Sequence, residues 1–401
     1  MRFFRDLILT VLATAVVLAG LEGGLRLAQV RFEASFYQPE RERGYALRPN
    51  AEGWSVGEAD VYVRINSDGM RDRERPVARP PQTVRVAIIG ASDAVAAEVP
   101  FEKTFKSVMN RDLSQALEPR GWQADVLTFG VGGYTLSQQY LTLHDHVWKY
   151  EPQVVVLLFS SSTVLKTTRA FFPGELQGAP VYLLNNGELV PDAITRNAPA
   201  ISARSLLWKN RTSDWMNASR LLSLLNISRI KAGEAIAGFR LKSKRAAASS
   251  APPERWHYDP SQPEVQESWA IAEALMHAMK ADCALHHAEF WIAIGDQGVQ
   301  VHPDLTERIA FQRRLGLTSL DAINQRVERF GAAEGIPTVT LARPLGEYAA
   351  SHGVFLHGPP AAKTNAGHWN ELGNGIAGHA IAGELLAHSL AIRRAAEEQS
   401  R

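Results

Sequence analysis

The chain has 401 residues, of which 45% are hydrophobic and 21% charged, and its formal net charge is +1. A chain of this length buries a sizeable core and can hold two or three units. The near-neutral balance gives no nucleic-acid footprint, and the single cysteine, Cys283, excludes an internal disulfide framework and a cysteine metal cluster.

In chain order, Arg2 and Arg5 precede an apolar run from Leu7 to Leu21, which Leu25 and Leu27 extend past Glu22. No small-x-small cleavage site follows. The pattern predicts an uncleaved signal anchor over residues 1–28, with a cleaved signal peptide or a buried N-terminal helix as the alternatives. With Arg2 and Arg5 inside, the body would face the periplasm or cell exterior. Arg26 and Arg31 on the far side pull against that orientation.

Residues 29–83 read as a β-rich lead-in. Val61-Tyr62-Val63-Arg64-Ile65 alternates and ends at Asn66-Ser67-Asp68-Gly69, a strand-and-turn signal. Pro76 to Pro81 is a stiff linker. The main domain, 84–395, then alternates strands with helices. Strands are expected at 84–89, 124–129, 153–159, 289–294 and 337–341. Helices are expected at 104–117, 135–150, 264–286, 319–334 and 372–394. An insertion at about 166–263 breaks the rhythm, with a turn at Asn185-Asn186-Gly187, a helix near 218–230 and a mobile loop at 244–253. The alternation argues for a parallel sheet covered on both faces.

Four blocks with chemical potential fall at strand ends or ahead of the last helix: Gly90-Ala91-Ser92, Thr128-Phe129-Gly130-Val131-Gly132-Gly133-Tyr134, Ser160-Ser161-Ser162-Thr163 and Gly367-His368-Trp369-Asn370. Each has a bland reading. Ser92 and Asp93 are good N-caps for the next helix, the glycines can make only a tight turn, and His368 can be a structural histidine. His144 and His146 stand at i and i+2, so they share no helical face and make no metal site.

Together with Ile65–Arg71, the order and spacing of these blocks resemble the SGNH/GDSL hydrolases, as found in membrane-anchored bacterial members. The resemblance covers the chain from about Tyr45 onward. It implies a three-layer α/β/α fold around a doubly wound, flavodoxin-like, parallel five-stranded sheet in the order 2-1-3-4-5. It implies Ser92 as nucleophile and His368 as base, and an oxyanion hole of the Ser92 N–H, the Gly133 N–H and a donor from Ser162. Glycine at 133 would let the backbone approach substrate without a Cβ in the way. The chain departs from the family pattern at four places. Ala91 replaces the aspartate of Gly-Asp-Ser, and Thr128 and Ser162 replace asparagines. Asn365 and Ala366 stand where the acid that orients the histidine is needed, so Asn365 is the nearest stand-in and no carboxylate is expected behind His368. The implied substrate is an acyl ester, chiefly acetyl, of a cell-surface polysaccharide or glycoconjugate, or a small ester, hydrolysed or transferred, with no cofactor and no metal. A lipase or thioesterase on the same scaffold is a further reading. From another class comes a catalytically silent relative that binds a glycan or a partner enzyme.

Overall fold

This computed structural model describes residues 2–168, 179–192, 203–242, 254–359 and 365–397. Arg2–Leu27 is one helix with no buried residue, long and apolar enough to cross a membrane. The lead-in forms two antiparallel hairpins, β1 (Tyr37–Glu40) with β2 (Gly44–Leu47) and β3 (Glu52–Ser55) with β4 (Val61–Arg64). The alternating run at 61–65 supplies β4, whose Val61 and Val63 point inward while Tyr62 and Arg64 point out.

The central sheet contains β5 (Thr83–Gly90), β6 (Gln123–Gly130), β7 (Val154–Phe159), β10 (Glu289–Ile294) and β11 (Thr338–Thr340), while β8 (Tyr182–Asn185) and β9 (Glu188–Pro191) form a separate hairpin. All neighbours in the sheet are parallel, in the spatial order β6-β5-β7-β10-β11. Counted along the sheet's own strands this is 2-1-3-4-5, the flavodoxin-like doubly wound order. Strand alternation divides the interior into two cores. Ala87, Ile89, Val155, Leu157 and Phe159 join one; Val84, Val86, Ile88, Val154, Val156 and Leu158 join the other. The first core is closed mainly by helices Gln266–Leu285 and Ala322–Glu334, the second by Phe105–Leu117, Ala342–His352 and Glu371–His388. The fold is therefore a three-layer α/β/α sandwich.

Several boundaries differ from the sequence reading. The helix expected over 135–150 opens with a Thr135–Gln138 capping box but is α-helical only to Thr142, then continues as a π turn and a 3₁₀ turn. The last helix breaks at Ser389, whose backbone is extended; the Glu289 carboxylate accepts from Ala391 N and Ser389 Oγ and restarts the chain as Leu390–Glu397. Helix Leu305–Leu315 was not expected. It buries no residue, so it carries no apolar stripe to read. The helix expected near 218–230 is Arg220–Lys242, and a further helix, Ala203–Ala218, precedes it. The loop expected at 244–253 lies outside the described residues.

Candidate active site

The elbow after β5 is held from two sides. Gly90 and Gly130 face each other across the β5–β6 ladder. A short helix, Ser92–Val95, sits on their ends, and a Cβ at Gly130 would lie 2.7 Å from the backbone of Ala94 and Val95. Only glycine leaves that space. From the lead-in, the buried Arg71 guanidinium donates to the carbonyls of Val95 (2.9 Å), Ala96 and Val99 (2.6 Å). These include the orphan acceptors at the end of a short helix. Burial pulls Arg71 down to about 10. The N-cap is Ala91, and no side chain caps the helix. Capping therefore does not explain Ser92 or Asp93. The half-buried Ser92 is left with its hydroxyl at the carboxyl edge of the sheet, where such folds place their chemistry.

His368 is not without an acid. Its Nδ1 lies 2.8 Å from Glu58 Oε1 and 3.2 Å from Glu98 Oε1, and its backbone N–H donates to Glu58 Oε2 at 2.7 Å. Glu58 comes from the β3–β4 connection, 310 positions away, and Glu98 from the loop after the elbow. This corrects the expectation of no carboxylate behind His368. Gly367 (φ +92) makes the contact possible, since a Cβ there would collide with the Glu58 carboxylate. Burial lowers the His368 pKa, but Glu98, Asp93 and Glu58 outweigh it and the net shift is upward. Asp93, next to Ser92, shares this neighbourhood. Burial pushes its carboxyl up, against the pull of His368 and His357. Burial raises Glu98 as well.

Below lies a second pair that the sequence reading missed. Asp296 follows β10, and its Oδ2 lies 2.7 Å from His357 Nε2 while Oδ1 accepts from Trp369 Nε1 at 2.7 Å. His357 Nδ1 is 2.8 Å from the Gly367 carbonyl. A carbonyl and a carboxylate both accept, so both ring nitrogens carry protons and His357 is an imidazolium. Burial opposes the charge, but Asp296 prevails and pushes His357 up to about 9. A folded pKa above the unfolded value of about 6.5 means stability fully present below that pH and lost as pH rises through about 9. The urea-unfolding midpoint should fall over that window. His357→Gln should cost about 3–5 kcal/mol at pH 6 by stranding Asp296, and its midpoint should fall less between pH 6.5 and 9 than the wild type's, the slope that remains coming from His368, whose pKa is also raised. A wild-type midpoint that is flat there would contradict the charged pair.

The remaining expected residues are placed as follows. Gly133 has φ +78 in the turn after β6, beneath Tyr45, whose hydroxyl donates to the Gly132 carbonyl at 3.0 Å. Ser162 is exposed, and its Oγ is 3.0 Å from Ser160 Oγ. Gln297 steadies this block by donating to Ser161 Oγ at 2.6 Å. Thr128 is buried, with no hydrogen-bond partner for its Oγ1 among the described residues. Asn365 is not a substitute for the acid. Its Oδ1 accepts from the N–H groups of Leu356 (2.9 Å) and His357 (3.0 Å), and its Nδ2 donates to the Gly298 carbonyl at 2.5 Å. These bonds use the amide to shape the loop that carries His357. Beside His368, a cleft of about 670 Å³ is lined by Glu58, Glu98, Pro100, Phe355, Trp369 and Leu372 among others; Ser92 does not line it. Ligand atoms of Glu58, Glu98 and His368 all lie within 4.8 Å of one another, a spacing that a metal ion could bridge.

No protein-family model and no curated protein matches the chain. Solved structures similar to it include the acetyl xylan esterase AlAXEase, at 12% identity over 75% of this chain and 100% of that one, with a TM-score of 0.37. A member of the lipolytic protein G-D-S-L family from Veillonella parvula is 8% identical over 77% and 98% of the two chains, with a TM-score of 0.35. A GDSL-like lipase from Bacteroides thetaiotaomicron is 11% identical over 78% and 88%, with a TM-score of 0.31.

Proposed function

We propose that the protein is an SGNH/GDSL-like serine esterase or O-acyltransferase. In this reading Arg2–Leu27 anchors it in a bacterial inner membrane, and the body acts outside on acyl, chiefly acetyl, esters of a cell-surface polysaccharide or glycoconjugate. The observation that carries the reading is the carboxylate pair on His368 Nδ1. An N–H donated from Nδ1 leaves the Nε2 lone pair free to act as a base. Nε2 takes the proton of Ser92 Oγ as Oγ attacks the ester carbonyl. The Ser92 and Gly133 N–H groups and the Ser162 hydroxyl hold the oxyanion. His368 returns the proton to the departing hydroxyl, and water or a second hydroxyl then takes the acyl group from Ser92. Asp93, adjacent to the nucleophile, is one of the groups that raise the His368 pKa, which favours the imidazolium formed on the way.

The test is labelling of the intact protein with a fluorophosphonate. The expected result is a single phosphonylated residue, Ser92. A folded protein that takes no label sinks the enzyme and favours the silent, glycan- or partner-binding reading. A chelator separates the acid role of Glu58 and Glu98 from a metal role. Nδ1 cannot both donate a proton to a carboxylate and give its lone pair to a metal. Ester hydrolysis should therefore be unchanged after EDTA treatment, and a loss restored by added divalent metal would assign the three side chains to a metal instead.

A further inference from the structure

Helix Ala203–Ala218 holds on to the protein largely through polar contacts and leaves three large apolar side chains exposed. Three of its polar residues reach the protein, while Lys209, Arg211 and Thr212 point to solvent. Asp214 pairs with the buried Arg48, Asn210 Nδ2 donates to Gln38 Oε1 at 2.8 Å, and Asn217 Oδ1 accepts from Ser35 N at 2.9 Å. Three of its large apolar residues face out, Leu207 66% exposed, Trp208 55% and Trp215 60%, while Leu206 and Met216 are half-buried. A helix docked only on a lead-in in water would bury the other face. The next helix, Arg220–Lys242, continues the pattern with Leu222, Leu224, Leu225 and Ile230 exposed.

Both helices are joined to the end of the N-terminal helix. The Glu22 carboxylate caps Arg220–Lys242, accepting from Arg220 N (3.1 Å), Leu221 N (2.9 Å) and Ser219 Oγ (2.9 Å). Arg26 Nη2 donates to the Ala218 carbonyl at 2.8 Å. Glu22 is also where the apolar run ends. The stretch from Phe3 to Leu21 rises about 28 Å at 1.5 Å per residue, close to the hydrocarbon thickness of a bilayer. The junction thus stands at headgroup depth, and the exposed leucines and tryptophans radiate from it. Tryptophan beside aliphatic residues, at the end of a span, is the chemistry of the membrane interface.

We propose that Ala203–Ala218 and Arg220–Lys242 form a platform that lies on the lipid bilayer, seating Trp208, Trp215, Leu222 and Leu225 in the headgroup and outer acyl region beside the anchor. The platform rests on the anchor reading of Arg2–Leu27. It would fix the body against the membrane through the lead-in, instead of leaving it on a tether.

The full chain is reconstituted at low protein density in vesicles of phosphatidylethanolamine and phosphatidylglycerol. Single nitroxide labels are placed at Trp215→Cys, Leu225→Cys, Val16→Cys in the anchor and Gln115→Cys on an exposed helix face; the native Cys283 is buried. Collision with oxygen, which partitions into lipid, is compared with collision with a water-soluble nickel chelate. Labels at 215 and 225 should favour oxygen several-fold, as at 16, while 115 favours nickel. If 215 and 225 behave like 115 while 16 is in lipid, the anchor stands and the platform falls. Protection of 215 and 225 from both reagents assigns the surface to a second copy and overturns the lipid assignment. An aqueous label at 16 removes the anchor and the platform together.

Discussion

Replacing Ser92 with alanine should lower the rate of ester hydrolysis by about 10⁴–10⁶, the range expected when the member of a nucleophile–base pair that forms the covalent bond is deleted. The residual rate would come from the oxyanion donors and binding, which the substitution leaves in place. The same change should leave stability within about 0.5 kcal/mol, the range of substitutions that break no cap, network or packing contact. Ser92 Oγ caps nothing, and the elbow is held by Arg71 and by the glycine contacts at 90 and 130. The two readouts together decide the role. A large rate loss with unchanged melting marks a nucleophile. Unchanged rate and unchanged melting, on an ester the wild type hydrolyses, would transfer the chemistry to another residue. The base should follow the nucleophile: His368→Ala alone should cost nearly as much, and the double variant little more than either single one, because the two act as one unit.

The parts of this molecule that were legible in the sequence are those written locally. Val84 to Ile89 and Val154 to Phe159 are apolar runs too short for buried helices and too continuous for one-sided strands, so they read as central parallel strands. The turn residues Gly90 and Gly130 close their strands and Gly133 follows three residues later, and Gly90 places Ser92. The acid on His368 was not legible. Glu58 lies in a Gly/Glu-rich stretch with no periodicity, and only the closure of the β3–β4 hairpin over the sheet edge brings it to the imidazole. A search confined to the residues just before His368 finds Asn365, whose amide is spent on Leu356 and His357. Asp296 did carry a signal, as an acid two residues after the buried strand Glu289–Ile294, at the edge where open sheets do their chemistry. Arg71 did not. An arginine in a polar lead-in looks like a solvated charge until the fold buries it against three carbonyls.

In the proposed mechanism Glu58 and Glu98 act through His368 as positioning residues, and their removal should move a pH profile as well as a rate. Glu58→Gln keeps the size of the side chain and removes its charge. Glu98 remains 3.2 Å from the same nitrogen, so the single variant should lose about 10–10² in kcat, and Glu58→Gln with Glu98→Gln about 10⁴, the cost of an imidazole held in the wrong tautomer. The base must be neutral to accept the Ser92 proton, so kcat/KM should rise with pH along a limb set by His368 in the free enzyme. Burial pulls that limb down, but Glu98, Asp93 and Glu58 carry it above the ordinary histidine value. Each neutralised carboxylate removes a contribution that raises the pKa. The limb should therefore move toward acid in Glu58→Gln and further in the double variant, even as the plateau falls. Glu58→Asp, which keeps the charge at a shorter reach, should hold the limb nearer the wild-type position than Glu58→Gln does. A purely structural role for Glu58, as an acceptor for the His368 backbone N–H, predicts something else. Glutamine also accepts there, so rate and limb would both stay put. An unmoved limb in the double variant, with the fold intact, would remove the carboxylates from the mechanism and leave His368 without an orienting acid.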